Sequence, residues 1–287
     1  MIFYKTVSAG NDFIHIAADE IERVSRGSLA AAICERNGGA GADGVVFYKI
    51  RPDRGAVDFE IFNRDGSEAE LSGNGMAGLS ALLFYLGEFT QQVVLHTRSG
   101  RKNHELLARN ENKFRLKIEI GEADFSRADF FPFLQENKVC YEHEGVTFYP
   151  VSVGNPHAVV IPGQQLSFEE ITATGKRLES APIFPQKTNV EFVLPAGKTS
   201  GMYENGADCP VFYYERGVGH TQSSSTGSAA VFAVLQRLGL VKNRLTIAAG
   251  SDKIKIYAEE KIYIENITKI VYKGIYMNRE NRDQVVC

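Results

Sequence analysis

The chain has 287 residues, 44% of them hydrophobic and 23% charged, with a formal net charge of −3. That length and composition suit a soluble core, in one large domain or two small ones. The slight acidity and the lack of a long basic run argue against nucleic acid as a partner, and no 18-residue apolar span is available for a membrane helix.

The N-terminal MIFYKTVSAGNDF has no basic stretch followed by an apolar one, so a cytoplasmic protein is expected. Its first seven residues read as a strand. Further β-branched or aromatic segments follow, bounded by Gly, Asn or Asp: GVVFYKI, VDFEIF, QVVLHT, FRLKIEI, VTFYPVSV, HAVVI, NVEFVLP, CPVFYYE, RLTIAA, KIKIYA and KIVYKGIYM. Few segments read as helix. Two of them, GMAGLSALLFYLG (75–87) and GSAAVFAVLQRLG (227–239), are apolar almost all round, which predicts helices buried on every side. Each ends in Leu-Gly, a plausible helix stop. Cys34, Cys140, Cys209 and Cys287 have no metal-ligand spacing and read as reduced, mostly buried thiols. No P-loop or dinucleotide fingerprint follows a strand, so neither a metal nor a nucleotide cofactor is expected.

The two apolar helices are in register. Ser72-Gly73-Asn74-Gly75 precedes Ser224-Ser225-Thr226-Gly227 by 152 residues, and the same offset relates Leu86-Gly87 to Leu238-Gly239 and Asn63 to Glu215. Asn11 and Asn155 are related by a similar, slightly shorter offset. This spacing is too long for a solenoid and predicts one unit used twice, as two lobes facing across a cleft. In both units a turn leads through Ser-Gly-Asn-Gly or Ser-Ser-Thr-Gly into a helix. The first turn of a helix has unpaired N–H groups and the positive end of the macrodipole, and glycine permits close approach. Either segment alone reads as ordinary Ser/Thr capping. As a facing pair they would grip one carboxylate from two sides. Asn11, Asn63, Asn155, Asn189, Glu215 and Arg216 sit at similar turns. As single residues the asparagines read as turn formers and His157 as structural. Together they offer Arg for a carboxylate, Glu for an ammonium and amides for either, as an amino-acid head group requires.

These residues resemble the diaminopimelate epimerase family over nearly the whole chain. The motifs are GNDF (10–13), GADG (41–44), FNRDGSEAE (62–70), SGNG (72–75), GNPH (154–157), TNVEF (188–192) and ERGVG…STG (215–227). The resemblance implies an α/β (α+β) fold of two pseudo-symmetric lobes, each a β-rich barrel-like sheet around a central buried helix. It divides the chain into 1–117 plus 265–287 and 118–264, with the last strand returning to the first lobe; a homodimer is compatible with it. The activity implied is cofactor-independent inversion at one α-carbon, interconverting LL- and meso-diaminopimelate for lysine and cell-wall precursor synthesis. The implied distal head-group set is Asn63, Asn155, Asn189, Glu215 and Arg216. Asn11, Gly73, Asn74, Ser225 and Thr226 are further substrate-binding candidates.

The departures lie at the acid–base positions. The family has cysteines where this chain has Ser72 and Ser224, glycine where it has Ser225, and an Arg-Cys pair where it has Ala77-Gly78. His220 stands where Glu is common. A thiol has a pKa of about 8.5 and an alkyl hydroxyl one near water's, roughly 15.7, a gap worth about 10 kcal/mol. A helix N-terminus returns at most about 2 kcal/mol of that. A further base is therefore expected, and His157, with His220 as the other nearby imidazole, is the candidate. Three readings stay open: an epimerase slowed or histidine-assisted, a cysteine enzyme altered to hold substrate, and an isomerase or amino-acid-binding protein of the same fold with another ligand.

Overall fold

A helix that is apolar on all sides must be surrounded by other structure, and the computed structural model surrounds both. It describes residues 1–21, 25–194, 208–249 and 252–277; Cys287 and the end of the 265–287 segment lie outside these. The first half contains β1 (Ile2–Ser8), β2 (Asn11–Ala17), α1 (Arg26–Cys34), β3 (Gly44–Arg51), β4 (Ala56–Asn63), β5 (Glu68–Ala69), α2 (Gly73–Leu86), β6 (Gln92–Thr97), β7 (Gly100–Asn110) and β8 (Lys113–Gly121). After the short β9 (Tyr141–His143), the second half contains β10 (Val146–Ser152), β11 (Pro156–Val160), α3 (Phe168–Glu179), β12 (Asn189–Val193), β13 (Asp208–Cys209) and β14 (Val211–Glu215). It ends with β15 (Gly219–Thr221), α4 (Ser225–Arg237), β16 (Arg244–Ala249), β17 (Asp252–Ala258) and β18 (Ile262–Ile275).

The pairings repeat as the offset predicts. β1 and β2 are antiparallel, β2 and β3 parallel with α1 as the crossover, and β3 and β4 antiparallel. β10 and β11, β11 and β12 across α3, and β12 and β14 follow the same sequence. Each half then has a two- or three-residue strand, a buried helix and an antiparallel meander. β18 pairs with β8 along Ile262–Lys269 and with β1 along Thr268–Ile275, so the C-terminal strand closes the first sheet into a barrel. The exchange is mutual, since Asp124, just after β8, bridges to Ser152 at the end of β10. Among the described residues no helix is long and apolar enough to cross a membrane.

Inside this frame every residue of α2 from Gly73 to Phe84 is buried, as is every residue of α4 from Ser225 to Leu235. One apolar core joins the two helices through Met76, Leu79 and Leu83 on one and Val231, Phe232 and Leu235 on the other. At these side chains' usual ~1.5–3 kcal/mol each, burial dominates the packing of both helices. The Leu-Gly stops act as expected: Gly87 and Gly239 take left-handed φ of 78° and 73°, where a side chain would be strained. Both helices begin two residues earlier than the apolar pattern suggests, because Ser72 and Ser224 are their N-caps.

The structure adds elements that the strand and helix patterns do not mark. α1 covers the outer face of β2 and β3 through Leu29, Ala30 and Ile33. α3 covers the second half through Ile171 and Leu178 against an aromatic cluster including Phe131, Phe148 and Phe184. α3 opens on a capping box, Ser167 and Glu170 each bonding the other's backbone N–H. β2 and the polar hairpin strand β7 are also additional.

Candidate active site

The cleft between the two halves takes its shape from the two helix starts. Ser72 and Ser224 have almost the same backbone, with φ of −142° in both and ψ of 118° and 124°. Each hydroxyl oxygen accepts the N–H three residues on, Gly75 or Gly227, at 3.1 Å. Each carbonyl accepts the next one, Met76 or Ser228. Helix geometry leaves the N–H groups of Gly73, Asn74, Ser225 and Thr226 without intrahelical acceptors. The two helix tips touch: a Cβ on Gly73 would lie 2.3 Å from Ser225 Cβ, so only glycine fits opposite that serine. Four N–H groups and two helix dipoles thus converge on one spot, which suits an anion.

A cleft of about 570 Å³, its mouth included, opens at this spot. Ser72, Ser224, Asn11, Asn63, Gly73, Asn74, Asn155, Asn189, Glu215, Arg216, Ser225 and Thr226 all line it. Residues spread over more than 200 positions are brought together because β2, β11 and β12 begin, and β4 and β14 end, at this edge. Two hydrogen-bond chains hold the amides. In the first half Asn11 Nδ2 donates to Asp43 Oδ2 (3.2 Å), Asn74 Nδ2 to Asn11 Oδ1 (2.7 Å), and Ser225 Oγ to Asn74 Oδ1 (2.5 Å). The last bond crosses between the helices. In the second half the chain is Glu191, His157, Asn155 and Thr226.

His157 is the one expected site residue that does not line the cleft. Its ring is fully buried, with Nδ1 2.8 Å from Glu191 Oε1 and Nε2 donating to Asn155 Oδ1 at 2.9 Å. Both nitrogens are occupied, so the ring orients Asn155 and is not placed to reach a ligand carbon. The parallel pairing of β11 with β12 sets His157 opposite Asn189 and near Glu191. His220 is also elsewhere, exposed on β15 and stacked on Phe212 at 4.3 Å. The expected histidine base is therefore corrected: neither imidazole faces the cleft.

Glu215, at the end of β14, lines the cleft near the hydroxyls of Ser224 and Thr221. Enclosure by protein raises its pKa to about 7; the nearby hydroxyls of Ser224 and Thr221 act to lower it, and the charges of Glu191 and Asp43 to raise it. Arg216 is tied down at its mouth: Nη2 pairs with Glu70, Nη1 donates to Gln186 O (3.0 Å), and its backbone N–H donates to Asn189 Oδ1 (3.0 Å). Asn189 Nδ2 donates to Pro156 O (2.8 Å) and Asn63 Nδ2 to Ser67 Oγ (3.0 Å). Asp43, Glu191 and Glu70 belong to this network and were not singled out from sequence. All three lie inside the quoted motifs GADG, TNVEF and FNRDGSEAE, which were the available signal. Asp43 is gripped by Arg36 at 2.9 Å, which also forks Asp12.

The departure at Gly78 has a packing reason. A Cβ on Gly78 would lie 2.4 Å from Thr6 Oγ1 and 2.6 Å from His15 Nε2, so a buried His15–Thr6 pair fills the space of a side chain there.

The diaminopimelate epimerase family model matches residues 3–126 and again 149–272, one match per structural repeat. The diaminopimelate epimerase of Archaeoglobus fulgidus is 33% identical over 98% of both chains. That of Carboxydothermus hydrogenoformans is 31% identical over 96% of this chain and 99% of its own. A solved structure of a predicted epimerase from Pseudomonas aeruginosa shares the fold, with a TM-score of 0.67 at 14% identity, over 96% of this chain and 99% of that one. With two repeats, two matching caps and a family match to each half, this chain belongs to the diaminopimelate epimerase family.

Proposed function

We propose that the protein is a cofactor-independent amino-acid epimerase that interconverts LL- and meso-diaminopimelate in the cytoplasm, by proton transfer at one α-carbon. The observation that carries this reading is the pair of N-cap serines, alike in backbone geometry, at two helix starts that meet in one cleft. The substrate's α-carboxylate takes the N–H groups of Gly73, Asn74, Ser225 and Thr226. The α-carbon then lies between Ser72 and Ser224. Loss of its proton puts negative charge into that carboxylate, where fixed N–H dipoles stabilise it as it develops. This is how the chain's own backbone does work that a carbonyl cofactor would otherwise do. Asn63, Asn155, Asn189, Glu215 and Arg216 receive the distal ammonium and carboxylate, and they select a substrate with two amino-acid heads.

The test is conversion of purified LL-diaminopimelate to the meso form by the protein without added cofactor, with α-deuterium uptake from D₂O followed in parallel. Conversion that requires an added cofactor, or none with saturable binding, would refute the reading. The second outcome would favour an amino-acid-binding protein of the same fold.

A further inference from the structure

The two serines that flank Ser224 bond across the cleft. Ser223 and Ser225 are buried, and each hydroxyl donates to the first half of the chain: Ser223 Oγ to the carbonyl of Ala9, Ser225 Oγ to Asn74 Oδ1 at 2.5 Å. Ala9 and Gly10 form the two-residue turn between β1 and β2, with φ of 48° and 92° and with Ser8 paired to Asn11. Glycine takes positive φ freely and alanine takes it at a cost, so such a turn persists where its surroundings hold it. Here Ser223 holds the Ala9 carbonyl, and a Cβ on Gly10 would lie 3.2 Å from Gln222 Cβ. Asn11 follows directly. Its amide N–H goes to Asp43, which leaves its oxygen for Asn74, whose oxygen in turn is left for Ser225. The bonds close a ring that runs from Ser223 to Ala9, along the turn to Asn11, across to Asn74, on to Ser225 and back through Ser224. The first repeat is built differently. Leu71 and Gly73 flank Ser72 and have no hydroxyl to give, and the turn before Asn155 is tied instead by Ser99 Oγ to Gly154 O at 2.9 Å.

Resting on the epimerase reading of the cleft, we propose that Ser223 and Ser225 are positioning residues: together they clasp the tip of α4 to the first half of the chain and hold Ser224 in place across from Ser72. The anion-binding N–H groups come from both halves, Gly73 and Asn74 from one and Ser225 and Thr226 from the other. Parting the halves would divide the donors and separate the two cap serines. Opening at this point has to break both hydroxyl bonds. The clasp therefore assembles the site before substrate arrives, and binding energy is not spent on closing it. A pair of groups that must reach both faces of one α-carbon gains from this, because a misplacement of about 1 Å can cost about 100-fold in rate. Ser225 stands where the family has glycine, so the bond to Asn74 is a feature of this chain's own sequence.

The test is hydrogen–deuterium exchange of the segments 8–12 and 222–226 in the parent, Ser223→Ala, Ser225→Ala and the double variant, with and without diaminopimelate, together with kcat and KM for Ser223→Ala. Each lost hydroxyl is expected to speed exchange of both segments by about 5-fold, and loss of both by about 25-fold, while the β6–β8 meander keeps the parent's rate. Saturating diaminopimelate should return the variants toward the parent's protection, because it favours the assembled cleft. Ser223→Ala should raise KM more than it lowers kcat, whereas a loss of folded protein would lower kcat alone. If the double variant does not fold, the two single variants carry the same comparison. Unchanged exchange in both segments would overturn the proposal, and so would faster exchange spread equally over the meander; the epimerase reading stands in either case. Faster exchange confined to the two segments, with diaminopimelate neither restoring protection nor being converted, supports the clasp and overturns the epimerase reading.

Discussion

Replacing both cap serines, Ser72→Cys with Ser224→Cys, tests the mechanism most directly. Each side-chain oxygen already accepts an N–H at 3.1 Å at a helix start, a setting that stabilises a thiolate and gives little to a neutral hydroxyl. The intrinsic difference between thiol and hydroxyl acidity is about 7 pKa units, or about 10 kcal/mol. With half of that expressed in a transition state where the proton is part-transferred, the barrier falls by ~5 kcal/mol, which is roughly 10³- to 10⁴-fold in rate. Either single variant should recover much less, because inversion needs one group to take the proton and the other to give one back, and such groups act as a unit. The assay is LL-to-meso conversion by the parent, both single variants and the double variant at matched pH. A parent that turns over briskly, with a double variant no faster, would show that hydroxyl acidity does not limit the reaction.

Three further outcomes are expected. A carboxyl whose folded pKa, about 7, exceeds its ordinary 4.5 binds its proton more tightly in the folded state. Its stabilising effect is therefore full below pH 4.5 and lost as pH rises through 7, so the stability of Glu215→Gln relative to the parent should rise across that window by up to about 3 kcal/mol in denaturant melts. His157→Phe leaves the Glu191 carboxylate buried without its partner and should cost ~3–5 kcal/mol; His157→Phe with Glu191→Leu should recover most of that in the same melts. Gly73→Ala drives its methyl into Ser225 and should cost ~1–3 kcal/mol, and adding Ser225→Gly should restore the melting temperature, whereas additive losses would mean that the helix tips do not abut.

The buried helices were legible because all-round apolarity is a local property of a dozen residues, and it dictates enclosure whatever encloses them. Their starts could be read for a related reason, since Ser-x-x-Gly caps act within one turn. The duplication was legible as spacing, because two copies that keep their loop lengths keep their offsets. Twelve of the thirteen expected site residues line one cleft, since they sit at strand ends and helix starts that the repeat aligns. The surroundings of the candidate acid–base groups were not legible. His157 resembles a base in sequence, but the parallel register of β11 on β12 places it against Glu191, where both nitrogens are occupied. Glu215 reads as a charged head-group ligand, yet its enclosure at the end of β14 raises its pKa to about 7. Cap chemistry and apolar pattern act through near neighbours in the chain, so sequence determined where the helices begin and what they bury. Proton transfer depends on which groups meet through space at about 3 Å, and only strand register and the packing of one repeat on the other decided that.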